Sequence, residues 1–278
     1  MSAASRARPR PLVAASFKAY LSAARTRAWV RGLAARATEI PSDVDVAVLP
    51  SFPMLESTAG ALAGTHITWG AQDVAPTATG AQTGEVTAEL LAELGCRYVE
   101  VGHAERRELF GEDPAMLAAK VREADDHGMT AVYCLGESSH DDLDGAVRAC
   151  TDDVDRLLTA LGTPPSDLVI AYEPLWAIGA DRPADPGWVR AVTTAVRDRA
   201  TPRVPGVRVL YGGAAGPGTF TALTGGVDGL LLGRFAHDLD AMVRVIREVA
   251  GSDRAASTNP DAAPGVSIPP AGRSSGYQ

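Results

Sequence analysis

Residues 167–180 read DLVIAYEPLWAIGA, and both the architecture and the chemistry of the chain can be approached from them. The first part, DLVIAY, is a short apolar run of the kind that forms a buried strand. It ends on a carboxylate, Glu173, set directly before Pro174, with Trp176, Ile178 and Gly179 close behind. Connections between elements are ordinarily polar and solvated. A strand that ends on a charge and continues into an apolar, Pro- and Gly-punctuated segment is either a buried structural loop or a cover over something bound.

The same unit recurs along the chain: a β-type apolar run, turn residues, then an amphipathic helical stretch. Strand runs begin at Pro11 (PLVAASF), Val44 (VDVAVLP), His66 (HITWGAQ) and Arg97 (RYVEVGH). Four more begin at Met129 (MTAVYCLG), Asp167, Val207 (VRVLYGG) and Asp228 (DGLLLG). Helical periodicity covers residues 22–38, 114–127, 143–161 and 186–199, and Asp113-Pro114 and Asp185-Pro186 each place an N-cap before a proline in the first turn. Eight strands in βα alternation imply a parallel sheet, and eight is the number that closes a (β/α)8 barrel. A doubly wound open sheet competes, but the Gly-rich dinucleotide loop it needs after the first strand is replaced by SFKAY. The expected fold class is therefore α/β, a (β/α)8 TIM barrel forming a single domain over residues 11–250. A basic N-terminal extension (1–10) precedes it. A Ser/Ala/Pro/Gly-rich tail (251–278) follows, whose composition predicts disorder.

Composition bounds the function. With 278 residues, 46% of them hydrophobic, the chain can bury a large core. A net charge of −8 argues against nucleic-acid and anionic-membrane surfaces, yet leaves room for a small phosphorylated substrate held by a lysine and backbone N–H groups. Cys96, Cys134 and Cys150 have neither disulfide nor metal spacing, so no metal is expected and a reducing cytoplasm suits them. LVAAS is too short for a signal peptide, and no run is long enough to span a membrane.

In a barrel the active site gathers at the C-terminal strand ends. Those ends carry Lys18, the loop from Gln72 to Glu85, His103, Glu137, Glu173, Gly212-Gly213 and Gly233. Each alone has an ordinary structural explanation: a solvated lysine, a hydrogen-bonded histidine, an arginine-paired carboxylate, turn glycines. Cys134 reads as core. Together on one rim they suit proton transfer beside a carbonyl. A carboxylate under an apolar loop loses solvation and becomes a better base. A neutral imidazole and an ammonium can stabilise the enediolate, and Gly-rich turns can offer N–H groups to a phosphate.

VEVGHAERRELFGE, AYEPLWAIG, TGEV, YCLGE and YGG also resemble, in order and spacing, the motifs of the triosephosphate isomerase family over about residues 10–250. The first two motifs are long and specific. The resemblance implies Glu173 as the proton-shuttling base, His103 as the electrophile, Lys18 as the electrostatic clamp and Glu105 as the partner that holds Lys18. It implies that residues 174–184 form a phosphate-gripping lid. Ser16, Gly179, Gly212, Gly213, Gly233 and Arg234 become the substrate- and phosphate-binding set, with no cofactor. Residues 73–85, including Thr83, resemble the loop that members insert into a second subunit, which implies a homodimer.

The chain departs from that pattern at several positions. Ser16-Phe17 stands for the usual Asn-Trp, Ala104 and Ala214 for serines, Ala180-Asp181-Arg182-Pro183 for Thr-Gly-Lys-Thr, and Arg234 for a glycine. These changes spare the proton-transfer residues and fall where substrate is gripped and sized. The leading expectation is interconversion of dihydroxyacetone phosphate and D-glyceraldehyde 3-phosphate. Isomerisation of a tetrulose phosphate such as L-erythrulose 1-phosphate is the alternative, and a catalytically weak binding barrel is the third.

Overall fold

The computed structural model describes residues 9–258. Eight parallel strands close into a barrel in sequence order. They are β1 (Leu12–Ser16), β2 (Asp45–Leu49), β3 (Thr68–Ala71), β4 (Tyr98–Val101), β5 (Thr130–Leu135), β6 (Leu168–Tyr172), β7 (Arg208–Tyr211) and β8 (Gly229–Leu232). Every sequence-derived strand run contains one of them. Around the barrel lie α1 (Ala23–Ala35), α2 (Leu55–Leu62), α3 (Ala88–Glu93), α4 (Ala104–Phe110) and α5 (Pro114–Asp126). The ring continues with α6 (Leu143–Leu161), α7 (Pro186–Ala200), α8 (Thr219–Ala222) and α9 (Leu239–Thr258).

Two apolar layers follow from the strand period of two, because alternate side chains face inward and outward. Inward residues such as Leu12, Ala14, Leu49, Tyr98, Val132, Val169, Leu210 and Leu231 fill the barrel. Their outward neighbours, among them Val13, Val48, Val99, Ile170 and Val209, pack against the helices. Barrel closure is direct, with Leu12 beside Gly229 and Ala15 beside Leu232 in parallel register.

Local signals set the helix ends. Asp113 accepts from Met116 N–H and Asp185 from the N–H groups of Gly187 and Trp188, the capping expected of Asp before Pro. The first helix is shorter than its periodicity: α1 stops at Ala35, and a separate 3-10 turn, Ala37–Glu39, follows. AERRE, which alone reads as a solvated charge run, is the body of α4. The expected boundary at 250 also needs correction, because α9 continues through residues 251–258. Its apolar face packs along the barrel as far as Val249 and Ala250, and the helix runs on without a break. The proposed disordered segment from 259 onward, and most of the basic extension, lie outside the described residues.

A buried ionic cluster joins the elements that carry the site. Lys120 on α5, 2% exposed, donates to Asp73 Oδ1 at 2.6 Å and also to Glu112. Arg106 on α4 completes it, with Nη2 2.7 Å from Asp73 Oδ2 and Nε 2.6 Å from Glu112 Oε1. Burial pushes the Asp73 carboxyl up, against the pull of Lys120 and Arg106. Removing one member of such a cluster strands buried charge. Lys120→Met should therefore lower unfolding free energy by about 3–5 kcal/mol, measured by urea denaturation at fixed protein concentration.

Candidate active site

His103 is both a catalytic candidate and the N-cap of α4. Its Nδ1 accepts from Glu105 N–H at 3.1 Å, which leaves the hydrogen of a neutral imidazole on Nε2. That Nε2 lies 3.4 Å from Glu173 Oε2. Both atoms are buried, and neither has a hydrogen-bond partner in the protein. Two buried polar atoms left open toward one cavity are what a bound polar ligand would satisfy.

Lys18 follows β1 and is the non-glycine residue with positive φ (47°) among the described residues. This costly left-handed conformation turns its side chain across the barrel mouth, where Nζ donates to Glu105 Oε1 at 2.7 Å. Burial tends to lower the pKa of Lys18, but the Glu105 hydrogen bond and the charges of Glu105, Glu173 and Glu100 outweigh it and hold the ammonium above the ordinary lysine range. The partnership expected between Lys18 and Glu105 is present in the geometry.

A cavity of about 190 Å³ is lined by Ser16, Lys18, Glu100, His103, Glu105 and Glu173 together with Ile178, Gly179, Gly213, Gly233 and Arg234. Thus the structure gathers the expected residues with one exception. Gly212 N–H is already spent on Tyr172 O at 2.9 Å, so it is not available as a phosphate donor. Its role is space: a Cβ there would stand 2.5 Å from Glu173 Oε1. Gly213 N–H reaches Glu173 Oε1 at 3.3 Å. Arg234 lines the cavity but also donates from Nη2 to Gly179 O at 2.8 Å, so part of its guanidinium holds the segment above the cavity.

That segment, residues 174–184, contains the 3-10 turn Leu175–Ala177 and lies over the cavity through Ile178 and Gly179. Its start is tied by Trp176 Nε1–H donating to Glu137 Oε1 at 2.8 Å, and its end by Ala184 N–H donating to the Tyr211 hydroxyl at 2.9 Å. Glu137 also accepts from Tyr172 and Trp188. It therefore anchors the cover, although its strand-end position alone suggested a place among the converging groups.

Sequence reading missed Glu100. It sits on β4, inward and in phase with Tyr98, 3% exposed, on the cavity floor. Its Oε2 lies 2.7 Å from Ser16 Oγ, a hydrogen-bonding distance. The available signal was a charged residue inside the otherwise apolar strand YVEV.

Comparison with known proteins points the same way. The sequence model of a family described as triosephosphate isomerase matches residues 11–249. An L-erythrulose-1-phosphate isomerase of Pectobacterium atrosepticum is 43% identical over 209 residues, covering 72% of this chain and 79% of that protein. A triosephosphate isomerase of Thermus thermophilus is 38% identical over 251 residues, covering 87% and 99%. One from Symbiobacterium thermophilum is 39% identical over 241 residues, covering 82% and 92%.

Gly212→Ala should displace the Glu173 carboxylate from His103 while leaving the barrel folded. Misplacing a reacting group by about 1 Å can cost roughly a hundredfold in rate, so turnover should fall by about that factor. An unchanged melting temperature and a crystal structure with Glu173 turned away would accompany the loss.

Proposed function

The chain belongs to the triosephosphate isomerase family, and on that premise we propose that it interconverts dihydroxyacetone phosphate and D-glyceraldehyde 3-phosphate through an enediolate. The observation that carries this reading is the buried pair of Glu173 Oε2 and His103 Nε2, 3.4 Å apart and without protein partners. Glu173 takes a proton from the carbon beside the carbonyl. The C–H electrons form the carbon–carbon double bond, and the carbonyl oxygen becomes the enediolate oxygen. His103 Nε2–H donates to that oxygen, and the Lys18 ammonium stabilises the charge. The hydroxyl hydrogen on the adjacent oxygen passes to the former carbonyl oxygen by way of His103, and Glu173 returns its proton to the former carbonyl carbon, so the adjacent carbon–oxygen bond becomes the new carbonyl. Gly179, Gly233 and Arg234 hold the phosphate, while residues 174–184 exclude water from the intermediate. The roles of carboxylate base, neutral imidazole electrophile and closing loop are general in the family.

A tetrulose phosphate is the second reading, favoured by Ser16, a small residue at the carbonyl end of the cavity, and by the likeness to the Pectobacterium protein. One hydroxymethylene usually changes discrimination by about 1–3 kcal/mol. We expect triose phosphate turnover with measurable activity on L-erythrulose 1-phosphate. Comparing kcat/KM for the two on one preparation decides, and a preference of about tenfold or more for the tetrulose phosphate would establish the second reading. Glu173→Gln should lower kcat by about 10²–10⁴-fold on either substrate, with binding of phosphate analogues retained. Full activity in that variant would reject Glu173 as the base. EDTA should leave turnover unchanged.

The active form is a homodimer. Most of residues 77–85 is exposed, including Thr83, and a cavity of about 340 Å³ lies at the base of this loop between Gln82, Glu85, Arg106, Phe110 and Met116. Nearby Leu109 and Phe110 are 71% and 65% exposed, apolar area that a second subunit would cover. The three buried free thiols suit a cytoplasmic location. Sedimentation at micromolar concentration should give twice the chain mass, and a monomer would count against the assignment.

A further inference from the structure

Glu100 is a carboxyl group in the one place a barrel normally reserves for apolar side chains. It points inward from β4, above Tyr98 and beside Cys134, and its head reaches the floor of the cavity that holds His103 and Glu173. Its hydrogen-bond partners are Ser16 Oγ, 2.7 Å from Oε2, and at the other oxygen only the Cys134 thiol, 4.0 Å away. Among the described residues it forms no ion pair; Lys18 bonds Glu105 instead. An ionised carboxylate so placed would be costly. Burial pushes the Glu100 carboxyl up and the Glu173 charge adds to it, against the opposing pull of His103, Ser16 and Lys18.

The direction of the Ser16–Glu100 bond decides what the cavity floor presents. A serine hydroxyl has one hydrogen and two lone pairs. If Ser16 donates to Glu100, its hydrogen points down into the barrel and lone pairs face the ligand. If Glu100 carries the donated hydrogen, the same 2.7 Å contact runs the other way and the Ser16 hydrogen is released toward the cavity. Negative charge develops there on the carbonyl oxygen, beside His103 and Lys18, so only the second direction helps the reaction.

Resting on the isomerase reading above, we propose that Glu100 is a positioning residue: it donates to Ser16 Oγ and thereby turns the Ser16 hydroxyl hydrogen toward the carbonyl-derived oxygen of the substrate. Glu100 is then a relay behind the floor, and Ser16 is the group that touches substrate.

The test compares Glu100→Gln and Glu100→Leu, each alone and combined with Ser16→Ala, with kcat and KM measured for dihydroxyacetone phosphate and for L-erythrulose 1-phosphate. The glutamine amide can still donate to Ser16 Oγ, so Glu100→Gln should keep kcat within about threefold. Glu100→Leu cannot donate and should lose about ten- to a hundredfold in kcat with a smaller change in KM. In the Ser16→Ala background that loss should shrink to about twofold or less, because the relay has nothing left to orient. Equal losses in the Gln and Leu variants, or an undiminished Leu effect without Ser16, would overturn the proposal. Infrared difference spectra provide a reading that does not depend on the Leu variant folding. The wild-type protein should show a protonated-carboxyl band that Glu100→Gln lacks, and its absence in the wild type would overturn the proposal as well. Wild-type protein that turns over neither substrate would instead refute the isomerase reading, and this assignment with it.

Discussion

Pairing of β8 with β1 is the constraint from which the site follows. Leu12 lies beside Gly229, and the ladder continues to Ala15 beside Leu232. In an open sheet, Lys18 after β1 and Gly233 after β8 would stand on opposite edges. Closure brings them onto one cavity. Because the interior is filled by side chains, the barrel is a rigid packed core, and the strand ends hold their positions without needing contacts among themselves.

On that rim the protein manages several carboxylates in different ways. Glu105 is paired with Lys18 and fixes its reach. Glu173 is left with an open oxygen, and Gly212 makes the room it occupies. Glu100 sits below, bonded to Ser16 rather than to a cation. Proximity alone therefore does not assign their roles. The available partners do, since pairing stabilises the charged form and burial without a cation favours the neutral one.

The cover over the cavity is held by groups of quite different origin. Glu137 collects Tyr172, Trp176 and Trp188 at its start, Tyr211 takes its far end, and Arg234 holds Gly179 in the middle. Arg234 bonds a backbone carbonyl there, so this side chain contributes to holding the cover as well as to lining the cavity.

The sequence by itself determined the eight strands, the barrel, and the group of Lys18, His103, Glu105 and Glu173. Strand runs and caps are local signals, and strand ends in a closed barrel share a face whatever their separation in the chain. The long motifs around His103 and Glu173 added the family. Other features waited for the tertiary structure. The role of Gly212 depends on how near Glu173 comes, and the donor capacity of its N–H depends on Tyr172, 40 residues earlier in the chain (212 − 172). Glu137 looked like part of the converging set until its bonds from Tyr172, Trp176 and Trp188 became visible, because a strand-end position does not reveal which way a side chain turns. Glu100 is the clearest case. Its letter stood in YVEV, but its meaning depends on Ser16, brought 2.7 Å away by strands that are not neighbours in the sheet, and such contacts arise only when the barrel closes and turns side chains from distant strands into one interior.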